Sequence, residues 1–160
     1  MRKYILLIAI LLSSVAFVLQ SCDIKIKEKP QSDIPSFSID HYAINVIDLE
    51  KSVAFYQDIF DVQEIEDGTQ LDHIRWFRLG TTQELHIIQV DSLDKKLPKG
   101  VHLALRTGNL ERFRESLTSK NIPYSDWPGN ASKVSERPDG VRQLYIQDPD
   151  SYWIEVNDVK

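Results

Sequence analysis

The sequence predicts an α+β fold: two βαβββ modules whose curved antiparallel sheets surround a concave site. Three observations predict it. Residues 41–50 (HYAINVIDLE) align without a gap to residues 102–111 (HLALRTGNLE), a shift of 61 positions in which His, Ala, Leu and Glu coincide and Asp48 meets Asn109. Each copy reads as an alternating stretch followed by a helical stripe. Several strand-like runs then follow each stripe. Only two copies occur, so the repeat is a paired module and not a solenoid.

In the first module, Tyr42, Ile44 and Val46 alternate with His41, Ala43 and Asn45, the period of a half-buried strand. Asp48 is a helix N-cap, and Leu49, Val53, Tyr56 and Phe60 recur at helical spacing. Strands are predicted near 62–66, 73–79 and 83–90. In the second module, Leu103 and Leu105 alternate with His102, Ala104 and Arg106. Asn109 caps a helix whose stripe is Leu110, Phe113 and Leu117, and Asn121-Ile122-Pro123 ends it, because proline lacks an N–H and restricts its predecessor. Strands are predicted near 124–126, 132–136, 142–147 and 152–157. Asp148-Pro149-Asp150-Ser151 forms the turn before the last strand.

The chain has 160 residues, 42% hydrophobic and 27% charged, which gives one globular domain with an ordinary core. That is too short for a two-domain dehydrogenase and too apolar for a disordered chain. Nineteen Lys+Arg face 24 Asp+Glu, a net charge of −5 with no basic block, so a nucleic-acid partner is excluded. The single cysteine excludes an internal disulfide and a cysteine-rich zinc site.

The first 21 residues read as an address. Arg2 and Lys3 precede an uncharged run from Tyr4 to Leu19, the layout of a secretory signal. The run is shorter than the roughly 20 apolar residues of a membrane span. Leu19-Gln20-Ser21-Cys22 resembles a bacterial lipoprotein box, which implies cleavage before Cys22 and its acylation. The alternative is an uncleaved anchor with an incidental cysteine. Either one places the domain in the cell envelope, outside the cytoplasm and tethered to a membrane. Loss of Arg2 and Lys3 leaves 17 Lys+Arg against 24 Asp+Glu, a net −7, so lipid and not domain charge would do the holding. Residues 22–37 read as a tether. The domain covers 38–160, with modules at about 38–97 and 98–160.

Strand parity selects a candidate site. On the first strand of each module the aliphatic residues belong under the helix, so His41 and His102 face the other way. On the last strand, Leu85/Ile87 and Ile154/Val156 take the core, and Glu84 and Glu155 face away from it. Two imidazoles and two carboxylates converge if the modules pair about a pseudo-two-fold axis, and that set suits a divalent first-row metal. Taken singly, each is more commonly a hydrogen-bonded histidine or a solvated glutamate. The repeat argues against the single reading.

The folded region resembles the vicinal oxygen chelate superfamily, which contains glyoxalase I, methylmalonyl-CoA epimerase, extradiol dioxygenases, thiol-transferring fosfomycin-resistance enzymes and bleomycin-binding proteins. The resemblance runs from about residue 39 to 157. It is carried by residues 41–58 (HYAINVIDLEKSVAFYQD), Glu84-Leu85-His86, residues 102–105 (HLAL) and residues 148–155 (DPDSYWIE). It implies metal places at His41, Glu84, His102 and Glu155, as in glyoxalase I of the nickel- or cobalt-using kind, with one divalent ion (Ni, Co, Zn, Mn or Fe). His86 shares Glu84's parity and could replace it or lie beside it; alignment favours Glu84. The resemblance further implies that the metal binds two neighbouring substrate oxygens while a carboxylate takes a proton from the adjacent carbon. Glu155 is the better base and Glu84 the second, in an isomerase, epimerase or lyase reaction on a small molecule. Asn45, His86, Arg106 and Trp153 would shape substrate binding, with Trp76 and Tyr145 as neighbours.

Some features depart from narrow family patterns. Ser151 stands where the family usually has Gly. Export places the chain where glutathione thiohemiacetals are not abundant, against authentic glyoxalase I. Ring-cleaving dioxygenases generally use a longer chain and two His with one Glu. Two other functions stay open: a lipid-tethered protein that sequesters a small molecule, and a structural lipoprotein with vestigial ligands. Pairing of the modules within one chain or across a homodimer is also open.

Overall fold

Alternating side chains form strand β1 (His41–Val46), which buries Ile44 and Val46 and leaves His41, Ala43 and Asn45 exposed on the opposite face. The Asp48 carboxylate accepts from the Lys51 N–H at 3.0 Å and starts helix α1 (Leu49–Phe60). Leu49, Val53 and Tyr56 of the predicted stripe are buried. Asp61, left-handed at φ 54°, closes the helix by donating its N–H to the Gln57 carbonyl. Strands β2 (Gln63–Ile65), β3 (Ile74–Leu79) and β4 (Gln83–Gln89) follow. The structure is a computed structural model that describes residues 36–93 and 97–160. The predicted signal segment, Cys22 and all of the tether except residues 36 and 37 lie outside the described residues. Among the described residues, no helix is long and apolar enough to cross a membrane.

The second module repeats the plan within Ser38–Lys160, one compact unit that holds both modules. Strand β5 (His102–Arg106) leads to Asn109, whose side chain accepts from the Arg112 N–H at 2.9 Å and caps helix α2 (Leu110–Ser119). Asn121 turns left-handed at φ 56°, just before Pro123. Strands β6 (Ser135–Glu136), β7 (Arg142–Gln147) and β8 (Trp153–Asn157) complete the module. The strand predicted at 124–126 is reduced to bridges from Ser125 to Ala131 and Tyr145, and the one at 132–136 keeps two residues. The cause is local. The Asp126 carboxylate accepts from the N–H groups of Gly129 (2.9 Å) and Asn130 (2.7 Å), and this turn competes with the ladder.

The two sheets have the orders β1-β4-β3-β2 and β5-β8-β7-β6. They are mixed and not purely antiparallel, because β1 runs parallel to β4 and β5 parallel to β8. The helix supplies the long crossover that parallel neighbours need. One apolar cluster joins the modules, with Ile44, Val53, Phe77, Leu85 and Ile87 on one side and Leu117, Leu144, Ile146 and Ile154 on the other. Phe60 of α1 stacks on Phe113 of α2 at 5.8 Å. The 148–151 turn also ties the modules together. Asp148 accepts from the buried Tyr56 hydroxyl at 3.0 Å, and Asp150 accepts from the Ile47 N–H and the Ser52 hydroxyl, both at 3.2 Å. Ser151 holds φ 72° there, the left-handed conformation that glycine adopts without strain. The turn therefore keeps its shape despite the serine.

Candidate metal and substrate site

On the first sheet, the face away from the core carries His41 on β1, Glu84 and His86 on β4, and Trp76 and Arg78 on β3. The cross-strand register sets their order: His41 lies opposite Glu84, Ala43 opposite His86, Trp76 opposite His86 and Arg78 opposite Glu84. The His86 ring is sandwiched between the Trp76 indole (4.0 Å, 7°) and the His41 imidazole (4.3 Å, 13°). Glu84 Oε2 lies 3.1 Å from His86 Nε2, and its Oε1 lies 3.3 Å from Arg78 Nη1. His41 donates from Nδ1 to the Asp40 carboxylate at 2.8 Å, which leaves its Nε2 lone pair free when the ring is neutral.

On the second sheet, the equivalent face carries His102 on β5, Trp153, Glu155 and Asn157 on β8, and Tyr145 on β7. Glu155 is only 4% exposed, so its charge needs partners. Tyr145 donates its hydroxyl to Glu155 Oε2 at 2.6 Å, Asn157 donates Nδ2–H to Oε1 at 2.7 Å, and Arg137 Nη1 lies 3.7 Å from Oε1. Burial, followed by the hydrogen bond to Glu155, pushes the Tyr145 phenol well above its ordinary value, so it stays a donor. His102 Nε2 lies 3.2 Å from Glu155 Oε2, and its Nδ1–H donates to the Lys99 carbonyl at 2.8 Å. The Lys99 ammonium sits over the rings of Tyr145 (4.8 Å) and Trp153 (4.7 Å), and desolvation lowers its pKa.

The register revises one expectation. On the second sheet, His102 lies opposite Trp153, and Ala104 lies opposite Glu155. On the first sheet, His41 lies opposite Glu84, and Ala43 lies opposite His86. His41 and His102 correspond through the repeat, and so do Ala43 and Ala104. The residue that answers Glu155 is therefore His86, and Glu84 answers Trp153. The β3 and β7 neighbours agree, since Trp76 faces His86 where Tyr145 faces Glu155.

The four predicted donors form two pairs in the single chain and do not meet in one cluster. Among the described residues, no group of three or more His, Cys, Asp or Glu side chains is placed to hold a metal ion. The physical reason is the sheet layout: β1 and β5 are edge strands of separate sheets and are not hydrogen-bonded to each other. A groove of ≈ 730 Å³ lies between the modules, where Glu84, Arg78 and Arg106 meet the apolar side chains of Phe60, Leu105 and Phe113.

The family model of the Glyoxalase/Bleomycin resistance protein/Dioxygenase superfamily matches residues 38–156. The chain belongs to this superfamily. Among solved structures, it is similar to a Bacillus anthracis protein assigned to the glyoxalase family, at 25% identity and TM-score 0.65 over 81% of this chain and 100% of that one. The fosfomycin resistance protein FosX of Listeria monocytogenes shares the fold at 22% identity and TM-score 0.60, covering 79% of this chain and 95% of that one. Lactoylglutathione lyase of Agrobacterium tumefaciens shares it at 19% identity and TM-score 0.60, covering 78% and 96%. The uncharacterized protein YwbC of Bacillus subtilis (strain 168) is 27% identical over 73% of this chain and 94% of its own length.

Within this glyoxalase-superfamily domain, the remaining predicted residues occupy distinct places. Trp153 is half-buried under Lys99, Arg106 lines the groove, and Asn45 is exposed on the site face, where its backbone N–H donates to the Tyr152 hydroxyl at 3.3 Å. Lys99, Asp40, Arg78, Trp127, Arg137 and Asn157 were not singled out by the sequence. Asn157 was accessible to the same parity argument, two residues past Glu155. Lys99, Trp127 and Arg137 lie on connecting segments, where no period operates.

Proposed function

We propose that the chain is a metal-dependent, glyoxalase-like lyase, isomerase or epimerase that removes a proton beside a metal-chelated carbonyl of a small molecule. The observation that carries this reading is the matched pair of donor sets, His41 with His86 and His102 with Glu155, at corresponding cross-strand positions. The donor chemistry fits a cation. With Nδ1–H committed to Lys99, neutral His102 turns a lone pair toward a carboxylate 3.2 Å away, an approach that a shared cation or proton relieves. Asp40 behind His41 resembles the carboxylate that orients a metal-bound histidine.

We assign His41, His102 and Glu155 as ligands, with His86 supplying the fourth position and Glu84 backing it by hydrogen bond. A divalent ion held there would supply Lewis acidity to two neighbouring substrate oxygens. Glu155 accepts the carbon-bound proton, with Asn157 and Tyr145 fixing its two oxygens. Because the pairs lie apart in one chain, the proposal includes a homodimer in which the His41 pair of one copy meets the His102 pair of the other. It also keeps acylated Cys22 as the anchor at the cell envelope, on the strength of the N-terminal sequence.

Metal content of the full-length chain, purified without a histidine tag, tests the reading. About one ion per chain is expected, lost in His102→Ala, Glu155→Ala and His86→Ala and held roughly 10- to 100-fold more weakly in Glu84→Ala. A wild-type chain that takes up no divalent ion overturns it. The groove between the modules favours a second reading, sequestration without catalysis. Small-molecule binding unaffected by His102→Ala and Glu155→Ala would support that reading.

A further inference from the structure

The Trp127 indole is 48% exposed, although it lies beside the His102–Glu155 pair. Its ring meets the His102 imidazole edge-on at 6.3 Å and tilts against Tyr145 at 5.6 Å. The backbone that carries it is fixed from several directions. Asp126 accepts from Gly129, Asn130 and the Asn130 side chain, and Lys99 Nζ donates to the Ser125 hydroxyl (3.0 Å) and to the carbonyls of Asp126 (2.6 Å) and Trp127 (3.3 Å). The Trp127 N–H donates to the Ser135 hydroxyl at 3.4 Å. An aromatic side chain held this way binds at low ordering cost.

The other aromatic faces nearby are already covered. Tyr145 and Trp153 both lie under the Lys99 ammonium. The cations on this wall are also committed. Lys99 donates to three oxygens, and Arg137 forms two bonds to Asp139 while leaning toward Glu155. A group resting on Trp127 therefore meets an aromatic surface beside which, among the described residues, Lys99 and Arg137 are already engaged elsewhere.

We propose that Trp127 is a specificity-determining platform for a planar, uncharged part of the substrate, which makes the substrate an aromatic or conjugated 2-hydroxy or 2-oxo compound. The chelating end of that description rests on the metal-centred reading above; the planar end rests on Trp127. The test compares mandelate with lactate, which share a chelating group and differ by a phenyl ring. Binding to the nickel-loaded full-length chain is measured by titration calorimetry. Stacking of this kind corresponds to a preference of roughly three- to tenfold for mandelate. Trp127→Ala should erase the preference while leaving lactate affinity and metal content unchanged, and Trp127→Phe should keep part of it. Equal binding of the two acids by the wild type overturns the proposal. So does an undiminished preference in Trp127→Ala, or a change of oligomeric state as its only effect. Metal content is read separately. A chain that takes up no nickel defeats the functional reading, and the mandelate preference measured on the same chain still decides the role of Trp127.

Discussion

Glu155 combines two properties that usually exclude each other, burial and charge. It is tolerated because donors surround it: Tyr145, Asn157, His102 and, farther out, Arg137. Tyr145→Phe removes the shortest of these bonds and keeps the ring. Losing a hydrogen bond to a buried carboxylate costs roughly 1–3 kcal/mol, so the urea midpoint should fall with no change in the slope of the transition. An unchanged midpoint would mean that Glu155 does not depend on the hydroxyl. Period-2 alternation was enough to place His41, His102, Glu84 and Glu155 on the faces away from the core. It could not reveal Asp40, which lies just outside the strand next to His41, or Lys99, whose ammonium reaches the 125–127 segment only through tertiary packing.

The 148–151 turn acts as an element that locks one module onto the other, and Asp148 is its pivot. One oxygen accepts from the N–H groups of Asp150 (3.0 Å) and Tyr152 (2.8 Å), and the other accepts from Tyr56. Burial nevertheless raises the Asp148 pKa above its ordinary 3.8 despite these bonds. The folded state therefore binds this proton more tightly than the unfolded state. The resulting stabilisation is fully present below the unfolded pKa and is lost as the pH climbs through the raised folded value. A carboxamide in place of this carboxylate can accept the same backbone bonds through its oxygen without ionising. Asp148→Asn should thus gain on the wild type as the pH rises above the ordinary 3.8 in urea titrations; a pH-independent difference would remove Asp148 from the account. The sequence made this turn and both helix caps readable, because Asp, Asn and Pro act within a few residues of themselves. The strands predicted at 124–126 and 132–136 are shorter because the Asp126 turn between them competes with the ladder, a contest that hydrophobicity does not register.

At the scale of the molecule, parity and register carry different information. Alternation fixes the face of a strand, but Glu84 and His86 share a face, and only pairing with β1 and β3 separates them. The repeat similarly predicted two equivalent halves without saying where they meet. The sheets end in β1 and β5, edge strands that each bear one histidine of the candidate centre; the far end of β1 is covered by Tyr152 and Asp150, which accept from the Asn45 and Ile47 N–H groups, while no strand pairs with its His41 end among the described residues. Unpaired edges invite pairing with another chain, and a two-fold dimer would present two such meetings. This arrangement can be tested by complementation. His41→Ala and His102→Ala chains should each fail to hold metal alone. Unfolded together and refolded as an equal mixture, half of the dimers are mixed, and each mixed dimer has one site with all its ligands and one lacking both histidines. The mixture should therefore recover about a quarter of the wild-type metal content. Recovery requires that the ligands come from different copies, because a centre built within one chain is broken in every molecule of both variants. No recovery, in a mixture whose mixed dimers are confirmed by mass spectrometry, would return the centre to the single chain and require the two sheets to close on each other.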